Sequence, residues 1–307
     1  MMNTAFQSII DPVITTNLSH LPKAKQDQLQ LAVDIILEKT QPSLLILFGS
    51  YARGNWLESL ADDGVHYRYQ SGFDLLAIVK NEALAIKIER KNSLHKRLGR
   101  EVETPINLIA EDIQFVNRRL RSGQYFYSDM LQKKCDRQKG DKQEGIVLHD
   151  SGEFELATPN TANSQIRQAV ARDDFDYWFT KATKYREYSD IAMSKGDFGE
   201  AAFFLHQSAE RFYGTILLVF TRYRPSSHDL RKLSQRVTSI EPQFLTVFPQ
   251  GSAEEQANFE LLRKAYINAR YKPSFAITQP ILAWLSARVL YLQTLTEQLC
   301  QAKIARF

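Results

Sequence analysis

The sequence changes its periodicity once. Up to about residue 150, short apolar runs of strand length alternate with stretches whose apolar residues recur every three or four positions. The runs are Leu44 to Phe48, Leu75 to Val79, Pro105 to Ala110 and Gly145 to Leu148. From Ser164 onward only the helical spacing remains. This pattern predicts an α+β chain, a sheet with helices followed by an all-α bundle. Thr158-Pro159-Asn160 reads as a linker, which divides the chain into residues 1–157 and 164–307. At 307 residues, both parts are long enough to bury a core.

Within the first part, Leu21 to Lys39 reads as an amphipathic helix ended by Pro42, Glu82 to Leu98 as a second helical run, and Asp112 as the N-cap of a helix reaching Arg121. The connection from Asn55 to Gln70 carries Trp56, Tyr67 and Tyr69. Its length suits either a cover over a ligand or a surface hairpin that packs its own aromatics. In the second part, five helices are expected. The first carries Trp178, Ala182, Tyr185, Ser189 and Ala192, and Lys195-Gly196-Asp197 breaks it. Asp197 with Glu200 resembles an acidic capping box for the next, Phe198 to Phe220. Ser226 to Asp229 then caps a third helix, Ala253 to Arg270 forms a fourth, and Thr278 with Pro280 starts the last.

The chemistry gathers between the first two strands. Gly49 permits a tight turn and close backbone approach to a ligand. If Tyr51 to Arg53 begins a helix, its free N–H groups and Ser50 face one point, which suits a phosphate. The second strand delivers Asp74 nearby.

The ordered set GSYARG (Gly49 to Gly54), SGFDL (Ser71 to Leu75) and a downstream strand resembles the small bacterial nucleotidyltransferases with a DNA polymerase beta type of palm. The resemblance implies a nucleoside triphosphate at Gly49, Ser50, Arg53 and Ser71, and Mg²⁺ and catalysis at Asp74. The family's first paired aspartate falls on Gly72 and its later carboxylate on Asn107. A two-metal site holds its ions roughly 3.5–4 Å apart and needs several anionic oxygens. One aspartate and one amide leave at most a weak, nucleotide-dependent Mg²⁺. Replacement carboxylates are sought at Asp62, Asp63, Glu111 and Asp112, and Gly72→Asp is expected to strengthen divalent-metal binding.

The segments FFLHQSAERFYGTILLVF, SSHDLRKL and LLRKAYINARYKPSF resemble the HEPN domain family, over most of Ser164 to Leu299. That family includes nucleotide-binding modules, partners of nucleotidyltransferases and RNA-cleaving toxins, the last with an arginine four to six residues before a histidine. Neither Arg263 nor Arg270 has a histidine at that distance. The resemblance therefore implies a nucleotide-binding or dimerising bundle, with ligand candidates His228, Arg263, Arg270 and Tyr271 and Glu210 as an internal partner. Arginine suits anions because its fork matches carboxylate and phosphate. His228 beside Asp229 also fits a cap, and Arg270-Tyr271 a helix C-terminus.

Composition narrows the classes. A formal charge of +4 is compatible with phosphate ligands but does not require nucleic acid. The basic clusters Lys87 to Arg100 and Arg118 to Arg121 fit solvated helix faces. No apolar run of about 18 residues predicts a membrane span, and the N-terminus carries no secretory pattern. Cys135 and Cys300 match no metal spacing, so a reduced cytoplasm is expected. The expected function is nucleotide binding, with transfer of a nucleoside monophosphate to a protein, RNA or small-molecule hydroxyl. The alternative is a catalytically impaired regulatory or toxin–antitoxin-type module acting through a HEPN homodimer.

Overall fold

A computed structural model describes residues 18–60, 67–131, 145–160, 163–225 and 227–307. In chain order, α1 (Lys23–Thr40) leads into β1 (Leu44–Phe48) and the one-turn α2 (Gly49–Arg53). A short hairpin follows, β2 (Glu58–Leu60) and β3 (Tyr67–Gln70), then β4 (Phe73–Val79), α3 (Glu82–Glu89) and α4 (Asn92–Glu101). Next come β5 (Ile106–Asp112), α5 (Ile113–Arg121), α6 (Tyr125–Leu131) and β6 (Gly145–Asp150). The helices α7 (Ser164–Ser194), α8 (Phe198–Thr221), α9 (Leu230–Ile240), α10 (Ala253–Tyr271) and α11 (Gln279–Ala305) follow, with a 3-10 turn at Pro242–Thr246. The chain is α+β, a mixed sheet with helices and then a helical region.

The sheet runs in the order β5-β4-β1-β6. β1 is antiparallel to both β4 and β6, and β4 is parallel to β5. A parallel pair needs a crossover, and α3 with α4 supplies it. All seven residues of β4 are buried, which explains why its sequence is a continuous apolar run interrupted only by Asp74. α1 buries Leu29, Ala32, Val33 and Ile36, the face its periodicity marks. The expected single helix from Glu82 to Leu98 is instead two. α3 buries Ala85 and Ile88, and α4 buries Leu94 and Leu98. In one straight helix Ile88 and Leu94 would point about 120° apart, so a break near Arg90 lets both face inward.

A second unit gathers α7 to α11 together with the β2–β3 hairpin and Ser122–Ser128. Its centre is α8, whose Leu205, Phe212, Tyr213, Ile216 and Val219 are buried beside Leu285, Val289 and Leu292 of α11. α8 buries residues on nearly every side, so its apolar positions are not confined to one stripe, and polar His206, Gln207 and Glu210 are buried with them. Asp197 is its N-cap by position but makes no side-chain cap, contrary to the capping box expected there. The turn is made instead by left-handed Gly196, φ 80°, and by the Asp197 N–H bonding to the Ala192 carbonyl. The true capping box is Ser252 with Glu255 at the start of α10.

Among the described residues, no helix is long and apolar enough to cross a membrane. Cys300 is buried, and burial pushes its thiol up. Cys135 and the aspartates Asp62 and Asp63 lie outside the described residues.

Candidate functional site

The turn after β1 is built as its glycine suggests. Gly49 has φ +76°, and a Cβ there would stand 2.2 Å from Asp74 Oδ2. Only glycine gives both the left-handed conformation and the close approach. The sheet register explains the encounter, because Phe48 pairs with Asp74 and Asp74 pairs with Asn107. Asn107 Nδ2 donates to Asp74 Oδ1 at 3.0 Å. Asp74 is 4% exposed and Ser50 1%. The Ser50 Oγ is buried with no hydrogen-bond partner, an open demand that a native interior seldom leaves.

These residues do not fit a two-metal centre. Asp74 has an amide nitrogen, a donor, beside it where a second acid would be needed. A Cβ on Gly72 would meet the Pro105 carbonyl oxygen at 2.8 Å and Asn107 Nδ2 at 3.0 Å. An aspartate therefore cannot enter at residue 72 unless β5 shifts, which corrects the expectation that Gly72→Asp would add a metal ligand. Glu111 and Asp112 pair with Ile78 and Val79, at the far end of β4. Four or five residues along a strand is about 13–17 Å, too far to serve Asp74. Asp112 instead accepts from the Phe115 N–H at 2.8 Å and caps α5. Among the described residues, no group of three or more His, Cys, Asp or Glu is placed to hold a metal ion.

Arg53 lies in the last turn of α2, half-buried. Ser71 is 2% exposed, and it exchanges two bonds with Leu57. The Leu57 N–H donates to Ser71 Oγ at 2.9 Å, and the Ser71 N–H donates to the Leu57 carbonyl at 2.8 Å.

The helical region assembles a second cluster around Glu210, which is 2% exposed on α8. Arg224 donates to its Oε1 at 3.0 Å and His228 Nδ1 to its Oε2 at 3.1 Å. A carboxylate only accepts, so His228 carries a hydrogen on Nδ1. The His228 side chain is 51% exposed. Arg224 lies over the Trp178 ring at 4.6 Å and along α8 at Gly214, where a Cβ would come within 2.9 Å of its Nε. His228 also stacks on Tyr266, at 4.8 Å and 18°. Fully buried His206 stacks on the same ring at 5.1 Å and 26°, and its Nε2 has no partner. Burial, then the neighbouring His228, lowers the His206 pKa to about 3, so this imidazole stays neutral.

The other candidates divide. Arg263 forms a two-pronged pair with Asp229, at 3.1 and 3.0 Å, and also contacts Glu260. Burial disfavours its charge, but these carboxylates outweigh burial and raise its pKa. Its fork is therefore occupied inside the protein. Asp229 in turn caps α9 by accepting from the Arg231 N–H at 2.9 Å. Arg270 is exposed, with its guanidinium carbon 4.5 Å from the Tyr266 ring, 4.9 Å from Tyr271 and 5.1 Å from Phe203. Tyr271 is 70% exposed. Thus His228, Tyr266, Arg270 and Tyr271 form one chain of ring and cation contacts. Sequence reading overlooked Tyr266 and Arg224, and placed Trp178 only on a helix face. Tyr266 lay in view, four residues before Arg270. Arg224 lies four residues before His228, within the arginine-to-histidine spacing sought only at Arg263 and Arg270.

Residues 175–285, from α7 into α11, match the family model of the HEPN domain. A comparison with curated proteins found no match.

Proposed function

We propose that this HEPN-bearing chain is a nucleotide-recognising regulatory module, with its ligand face at His228, Tyr266, Arg270 and Tyr271 and a nucleotidyltransferase-like sheet that performs no metal-dependent transfer. The observation that carries the reading is the contrast between the two clusters. Asp74 is shut between Gly49 and Asn107 with Gly72 sterically closed, whereas the His228 cluster offers exposed cationic and aromatic groups. Aromatic faces stack on bases, and arginine adds a cation and hydrogen-bond donors for phosphate. Ser50 Oγ, buried without a partner, supports a residual phosphate contact at the turn. Mg²⁺ does not fit the Asp74 surroundings, where an amide donor stands beside the carboxylate. A second copy is proposed to pair with the bundle, whose α7 exposes Tyr177, Tyr188 and Ile191.

Labelled ATP, GTP, CTP and UTP, each with Mg²⁺ or Mn²⁺, test the reading by equilibrium binding and by label transferred to protein or RNA. Saturable binding that is lost in His228→Ala and Arg270→Ala, without transfer, is the expected result. Transfer abolished by Asp74→Ala would overturn it. Light scattering at high concentration reads the dimer, and a monomer mass would remove that part.

One observation favours a second reading. The Glu210 carboxylate holds His228 by Nδ1, and Arg224 shares that carboxylate. A histidine so oriented can take a proton from a hydroxyl through Nε2, as cleavage at a 2′-OH requires. Cleavage of single-stranded RNA that disappears in His228→Ala would put this reading in place of the first.

A further inference from the structure

The stretch carrying Arg224 and His228 leaves α8 through a left-handed residue that is not glycine. Arg222 has φ 58° and ψ 16°, a conformation that side chains other than those of glycine and asparagine seldom adopt. It is held at three points. Its N–H bonds to the Leu218 carbonyl at 2.8 Å, its Nε lies 3.3 Å from Asp174 Oδ2, and its carbonyl accepts from Gln124 Nε2 at 2.7 Å. Gln124 comes from a segment almost a hundred residues earlier in the chain.

That segment grips the end of α8 along its length. The Tyr125 hydroxyl lies 2.7 Å from the Leu218 carbonyl, which also accepts the Arg222 N–H, and 2.8 Å from that of Val219, in the last turn of α8. The Phe126 ring stacks on Tyr223 at 4.6 Å and 16°. The Gln124 oxygen is buried without a partner. A half-satisfied buried amide costs stability, and here its nitrogen makes the bond that fixes Arg222. Reversing the amide would bring two oxygens together, so Gln124 acts as a donor. Two residues beyond Arg222, Arg224 reaches Glu210, and six beyond it His228 reaches the same carboxylate.

We infer that Gln124 is a positioning residue for the ligand face. By holding the Arg222 carbonyl it fixes the left-handed exit from α8, and that exit directs Arg224 and His228 onto Glu210. The inference rests on nucleotide recognition at His228. Its structural readout, however, is the state of the His228 ring, which does not require a ligand.

The test uses the full chain. Nitrogen-15 spectra of the imidazoles read the fraction of His228 with its hydrogen on Nδ1, and labelled ATP reads binding. Gln124→Ala should lower that fraction. If the competent loop falls to a tenth of the molecules, the apparent Kd should rise about tenfold. The decisive variant adds Arg222→Gly, because glycine takes the left-handed conformation without strain. If Gln124 acts through the backbone of Arg222, the double variant should recover both the ring signal and most of the affinity. An unchanged His228 signal in Gln124→Ala would overturn the inference, and so would a disturbed signal that glycine at 222 fails to restore. Gln124→Glu, matched in size and unable to donate, should reproduce the loss and covers misfolding of the alanine variant. If the ring signal moves and recovers as expected while wild type binds no ATP, the positioning role stands and the proposed function falls.

Discussion

Lowering the pH from 7 to 5 should destabilise the helical bundle through one residue, His206. Its ring is fully buried against Tyr266. Burial is the main reason its pKa falls to about 3, neighbouring His228 and Arg211 add to the effect, and the His228 backbone and Asp229 oppose it. The unfolded chain binds a proton at His206 near pH 6.5, while the folded chain resists until about pH 3. A pKa depressed by folding gives stability that is whole above 6.5 and is lost as pH falls toward 3. Each pH unit in that window is worth about 1.4 kcal/mol, so the step from 6.5 to 5 removes about 2 kcal/mol. For a unit of this size that lowers the melting temperature by roughly 4–8 °C. Urea unfolding of the full chain at pH 7, 6 and 5, read by tyrosine and tryptophan fluorescence, measures the slope. His206→Phe keeps a ring on Tyr266 but cannot titrate, and its stability should fall less by that same amount. Parallel losses in wild type and His206→Phe would refute the assignment.

Three further outcomes check other joints of the argument. Gly49→Ala should cost about 3 kcal/mol in chemical unfolding, the sum of a left-handed penalty and an overpacked contact with Asp74; a loss below about 1 kcal/mol would contradict the close approach. Gly72→Asp should destabilise the sheet by about 1–3 kcal/mol and leave Mg²⁺ titration calorimetry with nucleotide unchanged, whereas tighter metal binding would reinstate a metal site at Asp74. Ser252→Ala removes the capping box of α10 and should lower stability by about 1 kcal/mol, with thermal denaturation as the measure and no change as the contrary result.

Much of the architecture was legible because its causes are local. The strands at Leu44 and Leu75, the turn at Gly49, the Asp112 cap and the five C-terminal helices follow from apolar spacing, a few polar caps and the placement of glycine and proline. Local signals failed where two of them competed. Asp197 and Glu200 carry a capping pattern, but the left-handed turn at Gly196 closes that junction through backbone bonds. The helix expected from Glu82 to Leu98 has adequate propensity throughout, yet two buried faces out of phase split it.

The sequence by itself determined the α+β class, the four strands of the main sheet and the five C-terminal helices, and it marked Gly49, Ser50 and Asp74 in one cluster and Glu210, His228 and Arg270 in the other. Tertiary structure alone decided what those residues can do. Gly72 is closed by a carbonyl on the chain leading into β5, and Asp74 is met by Asn107 across a parallel register, neither visible from the spacing of SGFDL. Glu210, Arg224 and His228 converge because a turn folds back on α8, and Gln124 reaches that turn from far earlier in the chain. Periodicity reports which side of an element faces inward. It carries no information about which distant atom stands there, and for a buried carboxylate, amide or imidazole that neighbour sets the chemistry.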